Sequence, residues 1–288
     1  YIRYALTVVI IGLVVWYFLS ADIDFVKTWM YLKEADYVWA IVPIPIMLLS
    51  HLLRAMRWQT MLKPIMPAKS IFNLFSAVMV GYAINNMIPR GGEFVRPYVY
   101  SKRENQSFSS VFATIIVERF LDIIFLLMLF AGAFIVLQEK ILSTLPDNID
   151  PKKVLFLVIL FFVVLISSFY PPIVRFVLEK TIKPISKKLY EKLSEIFDKF
   201  TKGFAIIKKP GRYLRLIAES FGIWFCYAMP MYFIFFSFSF QDTASLGFFD
   251  ALLLLIIGAI AITVSPAPGG FGIYHGLLVE AMVNFYQI

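Results

Sequence analysis

Pro89-Arg90-Gly91-Gly92-Glu93-Phe94-Val95-Arg96-Pro97 places two arginines and a carboxylate on a backbone broken by proline and glycine, in a chain whose hydrophobic residues make up 60% of the total. Unsatisfied backbone groups cost several kcal/mol each in hydrocarbon. A broken helix is therefore tolerated at membrane depth only where protein or a water-filled cavity supplies partners. The stretch marks a candidate polar site inside a membrane domain.

The rest of the composition supports that setting. Mean hydropathy is +0.78, and runs such as Tyr4 to Ser20 and Val154 to Ser168 carry no charge. These features define an all-α fold, a polytopic membrane helix bundle over residues 1–288. The alternating segments of about ten residues that mark an outer-membrane barrel do not occur. Cys226 is the only cysteine, which excludes an intrachain disulfide and a cysteine-based metal site. The chain opens at Tyr1 rather than Met, as a piece of a longer protein would, and its first residues do not resemble a cleavable signal peptide.

Candidate membrane helices fall at 3–20, 37–57, 70–88, 108–137, 154–174, 214–239, 246–265 and 270–287, judged against the roughly 20 residues that span about 30 Å of hydrocarbon. Residues 175–215 hold twelve Lys/Arg, from Arg175 to Arg215, and so belong on the cytoplasmic side. Counting back through three full crossings would then put Arg54, Arg57, Lys63 and Lys69 outside, against the same tendency. The conflict disappears if 70–97 enters from the cytoplasm, breaks at Pro89 to Gly92 and returns. A re-entrant hairpin at 70–97 is therefore preferred to a full span.

A second break, Ser265-Pro266-Ala267-Pro268-Gly269-Gly270-Phe271-Gly272, echoes the first. Two Gly/Pro-interrupted segments in corresponding halves point to a transporter built from inverted repeats, with its site where the breaks converge. On that reading 246–287 is a second re-entrant hairpin, entering from outside. Shared composition without a repeat is the alternative, since no longer self-similarity is visible.

Charges within the apolar segments need a reason. Glu118, Arg119 and Asp122 interrupt 108–137, and Glu118 lies about 15 Å along that helix, near the middle of a bilayer of about 30 Å. Each charge at that depth costs roughly 2.5–3.5 kcal/mol on insertion scales, so the three must pair with one another or face a polar cavity. Glu118 and Asp122, four apart, share a face, and Arg119 and Asp122 are three apart. One account is purely structural, with Arg119 neutralising one acid and Arg90 or Arg96 pairing with the other. The other account adds a ligand, because an arginine fork and the free N–H groups at a glycine break both suit phosphate. A bound phosphate would then displace Glu93 or Asp122 as an arginine's partner.

The candidate substrate-binding set is Arg90, Gly91, Gly92, Glu93 and Arg96 at the first break, Asn86 before it, Glu118, Arg119 and Asp122 in the segment 108–137, and Gly269, Gly270 and His275 at the second break. Asn85 and Asn86 are better placed to satisfy freed backbone groups than to bind ligand. His51 reads as an interfacial side chain, and Arg54, Arg57 and Trp58 as an interfacial anchor. His51 and His275 have no acidic spacing that makes a metal motif. Residues 175–213 form a cytoplasmic insertion. Within it Ile185, Leu189, Leu193, Ile196, Phe197 and Phe200 make one apolar face of an amphipathic helix lying on the anionic inner leaflet or capping the bundle. The net charge of +8 concentrates there, so it concerns membrane electrostatics and not nucleic acid.

Gly91-Gly92-Glu93-x-x-Arg96-Pro97, Val117-Glu118-Arg119-x-x-Asp122 and Pro268-Gly269-Gly270-x-Gly272 together resemble the transmembrane domain of lysylphosphatidylglycerol synthases, also called the flippase-like family. The resemblance runs over nearly the whole chain. It implies a multi-pass protein of the cell membrane that moves lipids, such as aminoacylated phosphatidylglycerol or polyprenyl-linked sugars, between leaflets. Some members carry a soluble aminoacyltransferase domain after the membrane part, and these residues contain none. The sequence departs from the family pattern at His275, where the last block usually ends in glutamate.

The leading expectation is a lipid translocase, not an enzyme, without cofactor, in which Arg90, Arg96 and Arg119 bind the phosphate of a phospholipid or polyprenyl phosphate and Glu93, Glu118 and Asp122 hold those arginines. With no Walker A motif, transport would run downhill or couple to an ion or proton carried by Glu118, Asp122 or His275. A membrane enzyme acting on a lipid phosphate, with Glu118 or Asp122 as general base, is the second expectation, and a non-transporting scaffold the third. A homo-oligomer is compatible with all three.

Overall fold

The computed structural model describes residues 25–64, 66, 70–144, 153, 156, 160, 171–184, 186–187, 189–191, 194, 210–240, 245–265 and 267–287. The expected span at 3–20, most of that at 154–174 and most of the amphipathic segment lie outside the described residues. Among the described residues every element is helical. In chain order they are α1 (Phe25–Glu34), α2 (Tyr37–Ile41), α3 (Pro43–Leu62), α4 (Ile71–Asn85), α5 (Gly92–Arg103), α6 (Phe108–Val136), α7 (Gln138–Thr144), α8 (Pro171–Thr181), α9 (Pro210–Ser237), α10 (Phe248–Val264) and α11 (Ile273–Tyr286), with a 3-10 turn at Pro268–Gly270.

Among the described residues three stretches are long and apolar enough to cross a membrane: Tyr37–Leu62, Phe108–Val136 and Arg212–Ser237. The first combines α2 and α3. Asp36 caps its start by accepting from the Val38 N–H at 3.0 Å, and Pro43 takes the opening position of α3, where its missing N–H costs nothing. Helix α3 runs five residues beyond the expected end at 57, which draws Arg54 and Arg57 into the bundle instead of leaving them on its rim. Its main partner is α9, which runs antiparallel to it: the Asp36 N–H donates to the Ser237 carbonyl while Thr60 meets Glu219 near the other end.

Helices α4 and α5 form an antiparallel hairpin. Asn73 donates to Glu104 at its open end at 2.6 Å, and the Gly92 N–H donates to the Asn85 side chain at its tip at 2.8 Å. Between these ties the legs approach so closely that a Cβ on Gly92 would lie 2.0 Å from the Gly81 carbonyl oxygen. Only glycine permits that approach. The tip follows from its sequence: Pro89 turns the preceding residue away from helix, and Arg90 takes a left-handed φ of 57°, after which Asn85 supplies an acceptor for an orphan N–H at the start of α5. At 1.5 Å per residue the legs measure about 22 and 18 Å, short of the roughly 30 Å of hydrocarbon.

Helices α10 and α11 repeat the arrangement. Gly258 faces the Tyr274 ring and Gly270 faces Ile262, pairings that again mark antiparallel legs, and the tip holds three glycines of positive φ, Gly269, Gly270 and Gly272. Asp250 fixes the start of α10 by accepting from the Gly247 N–H at 2.8 Å and pairing with Lys140 of α7 at 2.9 Å.

The hydrophobic core locates the ends of the bundle. Leu62, Leu74, Tyr100, Val111 and Leu216 share one cluster. The end of α3, the open end of the α4–α5 hairpin and the starts of α6 and α9 therefore gather at one end. Phe235, Leu246, Ala251 and Tyr286 share another cluster, and Phe134, Ile141 and Leu253 a third. The α10–α11 hairpin thus opens at the opposite end. The two tips meet: Arg90 donates to the Thr263 carbonyl, and a Cβ on Gly269 would sit 3.4 Å from the Asn86 side-chain oxygen.

Candidate functional site

Beside the α4–α5 hairpin lies a polar cluster built from four helices. Arg54 and Arg57 come from α3, one turn apart on a single face. Arg96 comes from α5, Glu118, Arg119 and Asp122 from α6, and Ser220 and Tyr227 from α9. Glu118 is fully buried, and its Oε1 is the hub. It accepts from Arg54 at 2.6 Å, Arg96 at 2.9 Å and Arg119 at 3.1 Å, while Arg57 lies 3.7 Å away. Asp122 accepts from Arg57 and from Arg54 at 3.2 Å, with Arg119 at 3.4 Å.

The flanking residues hold these arginines in place. Arg57 also donates to Ser220 at 3.0 Å. Arg54 donates to the Tyr227 hydroxyl at 3.2 Å, which shares a 2.7 Å hydrogen bond with Tyr82, and its guanidinium lies near both rings. Arg96 lies over the Trp58 ring at 4.0 Å. That indole is itself fixed by its N–H donating to Thr114 at 2.8 Å.

Four arginines surround two carboxylates. Such an excess is costly to bury, and buried ion pairs are tolerated only with good geometry and further hydrogen bonds. Several polar atoms have neither solvent nor partner: Arg57 Nε, Arg96 Nε and Nη2, Arg119 Nε and Glu118 Oε2. Next to them is a cavity of about 60 Å³ whose lining includes Arg54, Gly81, Asn85, Gly92, Glu93, Arg96 and Arg119. This is room for several waters or one small oxyanion. The arginines can offer planar, charge-assisted donors to such an anion.

The structure brings together Arg96, Glu118, Arg119 and Asp122, with Glu93 and Gly92 on the cavity wall. It adds Arg54 and Arg57, which the sequence assigns to an interfacial anchor. They are 5% and 0% exposed and pair with Glu118 and Asp122. The available signal was their spacing of three, which puts both on one face of the helix. Trp58 likewise belongs to the core. Arg90 does not join the cluster: it is exposed at the hairpin tip, where it binds the Thr263 carbonyl. Asn86 and Gly269 mark the contact between tips, Gly91 caps the start of α5 and Gly270 packs on Ile262. His275 is exposed on α11 between the rings of Phe271 and Tyr274. Asn85, and not Asn86, satisfies the freed backbone N–H.

A bundle of membrane-length apolar helices enclosing an ionic cluster defines an integral membrane protein. The chain belongs to the family described as the lysylphosphatidylglycerol synthase TM region, whose model matches residues 4–287. Among its relatives, a UPF0104 membrane protein of Pyrococcus horikoshii is 26% identical over 94% of this chain and 84% of its own length. Another, from Methanothermobacter thermautotrophicus, is 27% identical over 86% of this chain and 76% of its own length. A third, from Methanocaldococcus jannaschii, is 28% identical over 68% of this chain and 77% of its own length. No solved structure matches the chain.

Proposed function

We propose that this protein moves a phosphate-bearing lipid, a phospholipid or polyprenyl phosphate, between the leaflets of the cell membrane. The observation that carries the reading is the cavity lined by Arg54, Arg96 and Arg119, beside a cluster in which arginines outnumber carboxylates two to one. The phosphate would lodge against these arginines while the acyl or prenyl chains stay in lipid. Membership of a family named for a lipid-modifying synthase agrees with a lipid ligand.

On this reading the α4–α5 and α10–α11 hairpins are re-entrant from opposite faces and meet near the middle of the membrane at Arg90–Thr263 and Asn86–Gly269. Three of the four legs, α4, α5 and α11, are shorter than the roughly 17 residues a crossing needs, which supports re-entrance, and helices broken at a shared midplane are the arrangement expected of an alternating-access carrier. Separating the tips would open the cavity to one side. The end bearing Lys63, Lys102, Arg103 and Arg215 is then cytoplasmic, by the positive-inside tendency.

The test is leaflet exchange of fluorescent phospholipid and polyprenyl-phosphate analogues in liposomes holding the purified protein, beside an Arg96→Ala/Arg119→Ala variant of verified fold. Exchange lost in the variant supports the reading. No exchange of either lipid, with turnover of a lipid phosphate in detergent, would replace the transporter with a membrane enzyme.

A further inference from the structure

Arg96 differs from the other arginines in how it is held. Its Nη1 donates to Glu118, the plane of its guanidinium is set over Trp58 at 4.0 Å, and its Nε and Nη2 have no partner. Those two N–H groups form one edge of the guanidinium, the edge that grips an oxyanion with two parallel hydrogen bonds. They are shielded from water in this arrangement, so neighbouring groups must shift before a ligand reaches them. Leaving two buried donors unmade is destabilising, and a bound oxyanion removes that cost. No other side chain in the cluster combines a stacked plane, an anchored end and an entirely free edge.

We infer that Arg96 is the specificity-determining contact for the oxyanion, through its Nε–Nη2 edge, and that Trp58 is the positioning residue that holds this edge in plane. The inference rests on the phosphate reading of the cavity and deepens it. The ligand group is one presenting two oxygens at the spacing of the fork, as phosphate does, whether on a lipid or free. Trp58 is in turn fixed by Thr114 of α6, so the plane of the fork is set by two helices other than its own.

Lysine separates fork from charge, since an ammonium at position 96 still pairs with Glu118 but offers a point charge in place of the edge. The full chain in maltoside micelles is titrated calorimetrically with dihexanoyl-phosphatidylglycerol, with inorganic phosphate and with dihexanoylglycerol, which lacks the phosphate. Wild type should bind at least one phosphate ligand and not the diacylglycerol. Arg96→Lys, with unchanged melting temperature, should weaken that binding tenfold or more, and Trp58→Phe should weaken it several-fold. The fluorescence change on binding should vanish in Trp58→Phe although four other tryptophans remain.

Binding of inorganic phosphate alone, lost in Arg96→Lys, keeps the fork and makes the ligand soluble. Arg96→Lys binding within twofold of wild type would overturn the inference, and leaflet exchange by the wild type would leave the transport reading standing. Conversely, fork-dependent binding without exchange would remove the transport reading and keep this one.

Discussion

The Arg90 guanidinium donates to the carbonyl oxygen of Thr263, in the last turn of the helix that leads into the second hairpin. A cation at that position meets both a carbonyl with no helical partner and the negative end of the α10 dipole. Two segments 173 residues apart are thereby fastened tip to tip. Because Arg90 is exposed, Arg90→Ala should alter global stability by no more than about 0.5 kcal/mol. It should nonetheless raise hydrogen exchange of the 265–272 backbone. Unchanged exchange there would mean that the contact is incidental.

Glu118 should behave very differently. Its Oε1 serves Arg54, Arg96 and Arg119. Glu118→Ala leaves Arg54 and Arg96 buried with Asp122 as the remaining acid of the cluster and should cost about 3–5 kcal/mol. Glu118→Gln keeps an acceptor oxygen and should cost less. Thermal unfolding in detergent would rank the two, and equal melting temperatures for wild type and Glu118→Ala would contradict the hub.

The close approach of the hairpin legs makes a sharper contrast. Gly92→Ala would drive a methyl to within 2.0 Å of the Gly81 carbonyl oxygen, which is backbone and cannot swing aside. The yield of folded, monodisperse protein should collapse. Gly132 in α6 meets nothing within 4 Å, so Gly132→Ala should be neutral or stabilise by about 0.5–1 kcal/mol. Gel-filtration profiles of the two variants, side by side, read the difference.

Topology offers a direct check of re-entrance. In a Cys226→Ser background, single cysteines at the exposed positions Lys63 and Arg103 flank the α4–α5 hairpin, and one at Glu139 lies in α7, just beyond the far end of α6. A membrane-impermeant thiol reagent should reach 63 and 103 from the same side and 139 from the other. Labelling of 63 and 103 from opposite sides would sink the hairpin in favour of a full span.

Much of this was legible in the chain. Length and hydropathy located the three long spans, and Pro89 with Gly91 and Gly92 located the break. The positions of Lys/Arg favoured a re-entrant hairpin there; the structure shows its legs antiparallel, and the labelling experiment above tests the re-entrance. Arg54 and Arg57 were harder, because an arginine at the end of an apolar run has the same local sequence whether it flanks the membrane or continues inward for another turn. What separates the two cases is the acid it meets, and Glu118 and Asp122 lie more than sixty positions away. Arg90 was misplaced for the opposite reason: adjacency to Gly91 suggested the cavity, whereas its left-handed φ turns it toward Thr263.

The separation of 64 positions between Arg54 and Glu118 also bears on how the protein is made. When α3 leaves the ribosome it carries two arginines whose counter-charges do not yet exist. At about 5–20 residues per second the acids of α6 follow several seconds later. Lipid is a poor waiting place for those cations. Helix α3 is therefore expected to stay with the insertion machinery until α6 arrives, so that the two enter the bilayer as a charge-matched pair.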